Sequence, residues 1–222
     1  MLSRLELTIE LLHAVPEAAL ATHATALPGF PFASVVSFVA DERHRPVFLI
    51  SRLAEHTRNL ATDARAGLVM AMRMGEGEIA RVTLLGEARP IEANPLLTNR
   101  YLRHHPHAEY FLQLGDFAFY RLDPLRILAV GGFAQAGWIE GARLLDAPAM
   151  TLEEEAALLE RHADELPSGW RLVGADFYGV NVLREGQLSR IRFPTGAVTR
   201  EAWLPTLRRA LRTAAADDLA RL

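Results

Sequence analysis

Between residues 16 and 135 the chain is written in short apolar stretches, each ended by glycine, proline or a cluster of polar residues. Residues 18–24 (AALATHA) and 32–39 (FASVVSFV) flank ALPGFP, where Pro28-Gly29 demands a tight reversal. A polar turn at 41–45 (DERHR) leads into 46–52 (PVFLISR), and these three segments read as an antiparallel meander. Two more strands are expected at 67–73 (GLVMAMR) and 81–91 (RVTLLGEARPI), on either side of the Gly-rich loop MGEGE. Residues 117–133 read as a further strand pair turning at Asp123-Pro124. About six short strands with tight turns favour a small antiparallel barrel over a doubly wound sheet.

Helical spacing fills the gaps. Leu5, Ile9 and Leu12 repeat at steps of four and three, predicting a first helix that ends before Pro16. A short helix is expected over 54–63 (AEHTRNLATD), and residues 94–115 read as helical with a break at Pro106. Residues 138–150 read as a linker. Beyond it, Thr151 with Glu154 matches a capping box ahead of AALLERHADEL. Two strands follow, VGADFYGVNVL and LSRIRF, joined by a turn at 184–187, and a last helix carries Leu204, Leu207, Leu211 and Ala215 on one face.

The composition limits the chemistry. There is no cysteine, which removes thiolate nucleophiles, iron–sulfur clusters and cysteine-ligated zinc. All 24 basic residues are arginine, which removes Schiff-base and Walker-type lysines, so an anion must be gripped by arginine, histidine, hydroxyls or backbone N–H groups. The net charge is −3 and no block of like charge stands out, so no nucleic-acid partner is expected. No run approaches the ~20 apolar residues of a membrane span, and Glu6, Glu10 and Glu17 interrupt the N-terminal stretch, so a cytoplasmic protein with no membrane partner is expected.

Three places can carry chemistry. At the corner LISRLAEHTRNL, a strand end meets a helix start. An anion there would find N–H groups, the Ser51 and Thr57 hydroxyls, the Arg52 and Arg58 guanidiniums and His56, although the same residues also suit a solvated helix end. In GFPFASVVSF, small residues beside a glycine let a flat ring approach the backbone, or simply pack a barrel strand. In GGFAQAGW, Phe133 and Trp138 can form an aromatic lid or merely end the barrel. His104 and His107 have metal-like i, i+3 spacing, but Pro106 between them breaks the helix; His23 and His162 read as ordinary surface or core histidines.

Taken in order, GFPFASVVSF, PVFLISRLAEHTRNLATDARAGL, RVTLLGEARPI and GDFAFYRLDPLRILAVGGFAQAGW resemble the pyridoxamine 5′-phosphate oxidase-like FMN-binding split barrels. The resemblance is narrower to the haem-utilisation (HugZ-type) branch, and extends to CREG-like proteins. It implies an α+β fold. Residues 1–140 would form an antiparallel split β-barrel, and 150–222 a small C-terminal α-β-β-α domain of the haem-utilisation type. It further implies a homodimer with a pocket between barrels for FMN first, or haem. Such a chain would be an oxidoreductase or haem-utilisation protein, the alternative being a non-catalytic CREG-like binding protein with no cofactor. Carried over by position, Ser34 and Val35 would line the ring, while Ser51, Arg52, His56, Thr57 and Arg58 would surround a phosphate or propionate, and Trp138 would close the pocket. His56 stands where many FMN-binding relatives have lysine. For haem iron the resemblance leaves only His162 as a candidate ligand, because no histidine follows it.

Overall fold

The computed structural model describes residues 2–74, 78–131, 136–163, 166–194 and 196–219, with side chains to residue 214. It divides into two compact units, Met1–Ala147 and Pro148–Leu222. The loop glycines Gly75 and Gly77, the lid residue Phe133 and Asp164 lie outside the described residues.

The first unit opens with α1 (Arg4–Ala14), whose start is fixed by a reciprocal capping box. The Ser3 hydroxyl accepts the Glu6 N–H, and the Glu6 carboxylate accepts the Ser3 N–H. Seven strands follow: β1 (Glu17–His23), β2 (Pro31–Ala40), β3 (Pro46–Ser51), β4 (Arg65–Met74), β5 (Glu78–Pro90), β6 (Phe117–Val130) and β7 (Ala136–Glu140). They form one antiparallel sheet in the order β3-β2-β1-β4-β5-β6-β7. An additional β3–β6 pairing closes six of them into a barrel.

β6 makes this closure possible because one of its edges serves two partners. Its first residues, Phe117–Arg121, pair with β3, and Arg126–Val130 pair with β7. The expected turn at Asp123-Pro124 is therefore absent, and the strand runs through. Opposite Pro124 the β5 register shifts at Leu85/Gly86, and a proline, which has no N–H to give, sits without cost at such an irregularity. Only glycine fits at position 86, since a Cβ there would collide with the Asp123 carbonyl.

Period-two alternation then sorts the side chains. Leu20, Leu68, Leu84 and Ile127 occupy one register row across β1, β4, β5 and β6 and are fully buried. The short helices α2 (Glu55–Thr62), α3 (Pro95–His104), α4 (Ala108–Gln113) and α5 (Gly141–Leu145) lie between or after the strands. α5 and β7 replace most of the linker expected at 138–150, and Leu144 is fully buried. That segment lacks clear periodicity because it is too short to show one.

In the second unit, α6 (Leu152–Arg161) begins at the predicted Thr151/Glu154 capping box. The stretch VGADFYGVNVL is two strands rather than one. β8 (Trp170–Asp176) and β9 (Gly179–Arg184) reverse at Phe177-Tyr178, where the Asp176 carboxylate accepts the Tyr178 N–H at 2.7 Å. With β10 (Gln187–Arg192) they make a three-stranded antiparallel sheet, and α7 (Arg200–Leu219) follows. A buried ion pair, Arg190 with Asp176, ties β10 to the β8 end.

Candidate functional site

The corner between β3 and α2 contains five of the sequence-predicted residues, Ser51, Arg52, His56, Thr57 and Arg58. β3 ends at Ser51, still paired with Phe117, and the Ser51 hydroxyl donates to the Asp116 carboxylate at 2.6 Å and accepts the Leu53 N–H at 3.1 Å. Thr57 is buried and its hydroxyl donates to the Ser51 carbonyl at 2.6 Å, holding α2 against the strand end. Arg52 is exposed and donates from its guanidinium to the Gly115 carbonyl, while its N–H donates to the Asp116 carbonyl. Arg58, also exposed, donates to the Glu55 carboxylate and the Leu53 carbonyl. The hydroxyls and guanidiniums expected around an anion thus already have protein acceptors. Asp116, which the sequence reading missed, places a negative charge among them. No side chain caps the start of α2.

His56 differs from these. Its Nδ1 shares a 3.0 Å hydrogen bond with the Ser34 hydroxyl, and its Nε2 is buried with no hydrogen-bond partner. Burial lowers its pKa from 6.5, so the imidazole is neutral at pH 7. It lines a cavity of about 220 Å³ with Val35, Ser37, Ser51, Tyr101, His107 and Phe117. Phe111, also on the wall, stacks on Phe117 with ring centroids 4.8 Å apart. Tyr101 sits at the inner end. Its hydroxyl donates to the Ser37 carbonyl and accepts the Leu49 N–H, and burial raises its pKa to about 12. The contributions of α3 and α4 to this wall were not anticipated, because aromatic residues at helical spacing look the same whether they face a core or a cavity.

Alternation separates the two β2 candidates. Val35 points outward and is 70% exposed, whereas Ser34 faces the other side and meets the cavity only through His56. Trp138 stands on β7, 45% exposed, with the Arg126 guanidinium 5.0 Å from its ring centre, and is not among the cavity residues. His162 belongs to the second unit, where it is buried against Trp203. His104 and His105 bond to the Arg100 and Phe38 carbonyls, and no metal-binding cluster exists among the described residues.

One register row on the outer face of the barrel is apolar except for Thr83. Val35 pairs with Ala19, Ala19 with Val69, Val69 with Thr83, Thr83 with Leu128, and Leu128 with Trp138.

Residues 5–146 match the family model for the CREG β-barrel, which covers the first unit's helices and strands but for the first residue of α1. The chain belongs to the CREG β-barrel family. Within and around this CREG fold, a non-canonical haem oxygenase of Arabidopsis thaliana chloroplasts is 32% identical over 119 residues, which are 53% of this chain and 37% of that protein. The chain therefore spans little more than a third of that relative. Two solved structures extend the likeness beyond the CREG barrel. A protein of unknown function from Agrobacterium tumefaciens is 26% identical with a TM-score of 0.71, covering 92% of this chain and 94% of its own. A haem-binding protein from Mycobacterium smegmatis is 28% identical with a TM-score of 0.61, covering 95% and 98%. The α+β split-barrel architecture of the CREG relatives is the architecture found here. No described helix is long and apolar enough to cross a membrane.

Proposed function

We propose that the barrel unit is a haem-handling split barrel, with the porphyrin edge entering the cavity beside His56 and the rest of the ring lying over the exposed Val35. The observation that carries this reading is the neutral, buried His56, whose Nε2 has no partner at the wall of an aromatic cavity. A buried polar atom left unpaired costs free energy, and a ligand that satisfies it recovers that cost. The haem-binding and haem-oxygenase relatives support the same choice.

FMN is the rival. Its phosphate carries nearly two negative charges and needs unengaged donors. The Ser51 hydroxyl is instead committed to Asp116, Thr57 to a carbonyl, and the Asp116 carboxylate repels an anion. His56 in place of a lysine weakens the grip further. A haem propionate carries a single charge rather than nearly two, and Arg52 and Arg58, both exposed, can turn toward it.

A cavity of about 220 Å³ cannot enclose a tetrapyrrole, so a second copy of the chain would complete the pocket. The Val35–Trp138 row supplies an apolar face for such a homodimer. When bound, haem supplies redox and oxygen chemistry. The protein's own contribution is to orient the ring, exclude water from its inner edge and hold a neutral imidazole there.

Titration of the full chain with haemin tests the reading. A Soret band that shifts and saturates at one haem per chain is expected, and its loss of intensity with a reductant and oxygen would make the protein a haem-degrading enzyme. Saturable quenching of FMN fluorescence with no haem binding would reverse the order of the two cofactors. Binding of neither would leave the non-catalytic CREG-like reading.

A further inference from the structure

The second unit contains a pocket of its own, of about 330 Å³, formed where one stripe of α6 faces one stripe of α7. From α6 it takes Glu154, Leu158 and Arg161, which recur at helical spacing along one face; from α7 it takes Arg200 and Trp203; Phe177 completes the floor. The floor is dry in chemical character. Trp203 and Phe177 are buried, and the single polar atom of Trp203, its indole N–H, donates to the Asp176 carbonyl at 2.9 Å. These two rings therefore present only carbon to a ligand, and the buried imidazole of His162, packed beside Trp203, lines the same pocket.

Charge is confined to the rim. Arg200 donates to the Glu154 carboxylate at 2.7 Å and lies 5.6 Å from the Phe177 ring centre, and this guanidinium keeps the Glu154 carboxyl below its usual range. The two charges cancel. Arg161, exposed at the last turn of α6, has no ion pair or hydrogen bond among the described residues. Its charge complements the negative end of the helix, and among the described residues nothing engages its donor fork. The pocket thus combines a largely apolar aromatic floor, beside His162, with one guanidinium that has no ion pair among the described residues.

We propose that this pocket binds a small carboxylic acid, with its apolar body on Trp203 and Phe177 and its carboxylate in the fork of Arg161. A volume of about 330 Å³, at ~30 Å³ per water-sized group, holds a ligand of roughly ten heavy atoms. It lies within the size range of small-molecule sites. A larger acyl chain or a dianion is not matched, because the second arginine is already neutralised. The site is independent of the cofactor reading for the barrel.

Phenylacetate and its neutral isostere phenylacetamide distinguish the idea from simple apolar stickiness. Calorimetric titration of the full chain is expected to give one site per chain, with phenylacetate about tenfold or more tighter than the amide, the scale of a charge-assisted bidentate contact. Arg161→Gln, an exposed substitution, should bring the two ligands to within about twofold, leaving amide binding unchanged. Ala157→Trp, on the same wall, should abolish both. Equal affinities in the native chain, a preference that survives Arg161→Gln, binding that survives Ala157→Trp, or no saturable binding by about 10 mM would each overturn the proposal.

Discussion

The Ser34 hydroxyl and the His56 Nδ1 lie 3.0 Å apart, joining the inward side of β2 to the first turn of α2. This contact fixes the plane of the imidazole and so decides where its second nitrogen points. Ser34→Ala removes one side of it. Because the bond is part-buried, a loss of about 1 kcal/mol in unfolding free energy is expected. Where haem binds, the Soret maximum should also broaden as the ring loses its fixed plane. A variant with unchanged stability and an unchanged band would mean that the bond orients nothing.

Burial lowers the His56 pKa from 6.5, and the sign of the pH effect follows. As pH falls through about 6.5 the unfolded chain takes up a proton that the folded chain refuses, so stability declines from that point toward the lower folded pKa. Above 6.5 this group has no effect. Burial acts in the same direction on His105, so the native chain loses stability in acid through both. His56→Gln is expected to narrow the gap in urea-unfolding free energy between about pH 7.5 and pH 5.5. An unaltered gap would show that His56 titrates alike in both states.

The Asp116 carboxylate accepts the Ser51 hydroxyl at the corner where an anion would otherwise sit. Asp116→Asn keeps the shape and removes the charge. A like charge about 4 Å away in water-like surroundings costs ~1 kcal/mol, so FMN affinity should rise about fivefold in the variant. Flavin fluorescence titration measures it. No gain would show that Asp116 is not what keeps the phosphate out.

At Gly86 the backbone of β6 approaches so closely that a Cβ has no room against the Asp123 carbonyl. Gly86→Ala must move backbone rather than a flexible side chain. A cost of about 3 kcal/mol or more is expected, which for a chain of this size lowers Tm by roughly 6–12 °C. Thermal unfolding followed by circular dichroism reads this out; a shift under about 2 °C would show that the strand pair yields easily.

Val69 lies near the middle of the exposed apolar row and is 38% exposed. If this row is the face between two copies, Val69→Glu places two buried like charges near each other and should convert a dimer into single chains. Light scattering on native and variant chains decides it. A dimer that survives Val69→Glu uses another surface.

Much of this was legible from local pattern. The alternating runs at 18–24 and 32–39 became β1 and β2, the Thr151/Glu154 box starts α6, and Pro106 separates α3 from α4, because each depends on neighbours a few residues apart. Serine, arginine and histidine at the β3–α2 corner were likewise visible as residue types able to hold an anion. Which of them are unengaged was not. The answer rests on Asp116, which lies 65 positions from Ser51 and reaches it only because β6 pairs with β3. The same pairing lets β6 run through Asp123-Pro124, where local rules call for a turn, since Gly86 on a different strand makes room for it. Period and capping are properties of a segment and so belong to the sequence. The occupancy of a hydrogen-bond donor and the strain at a glycine are properties of pairs brought together by closure of the barrel, and tertiary structure alone decides them.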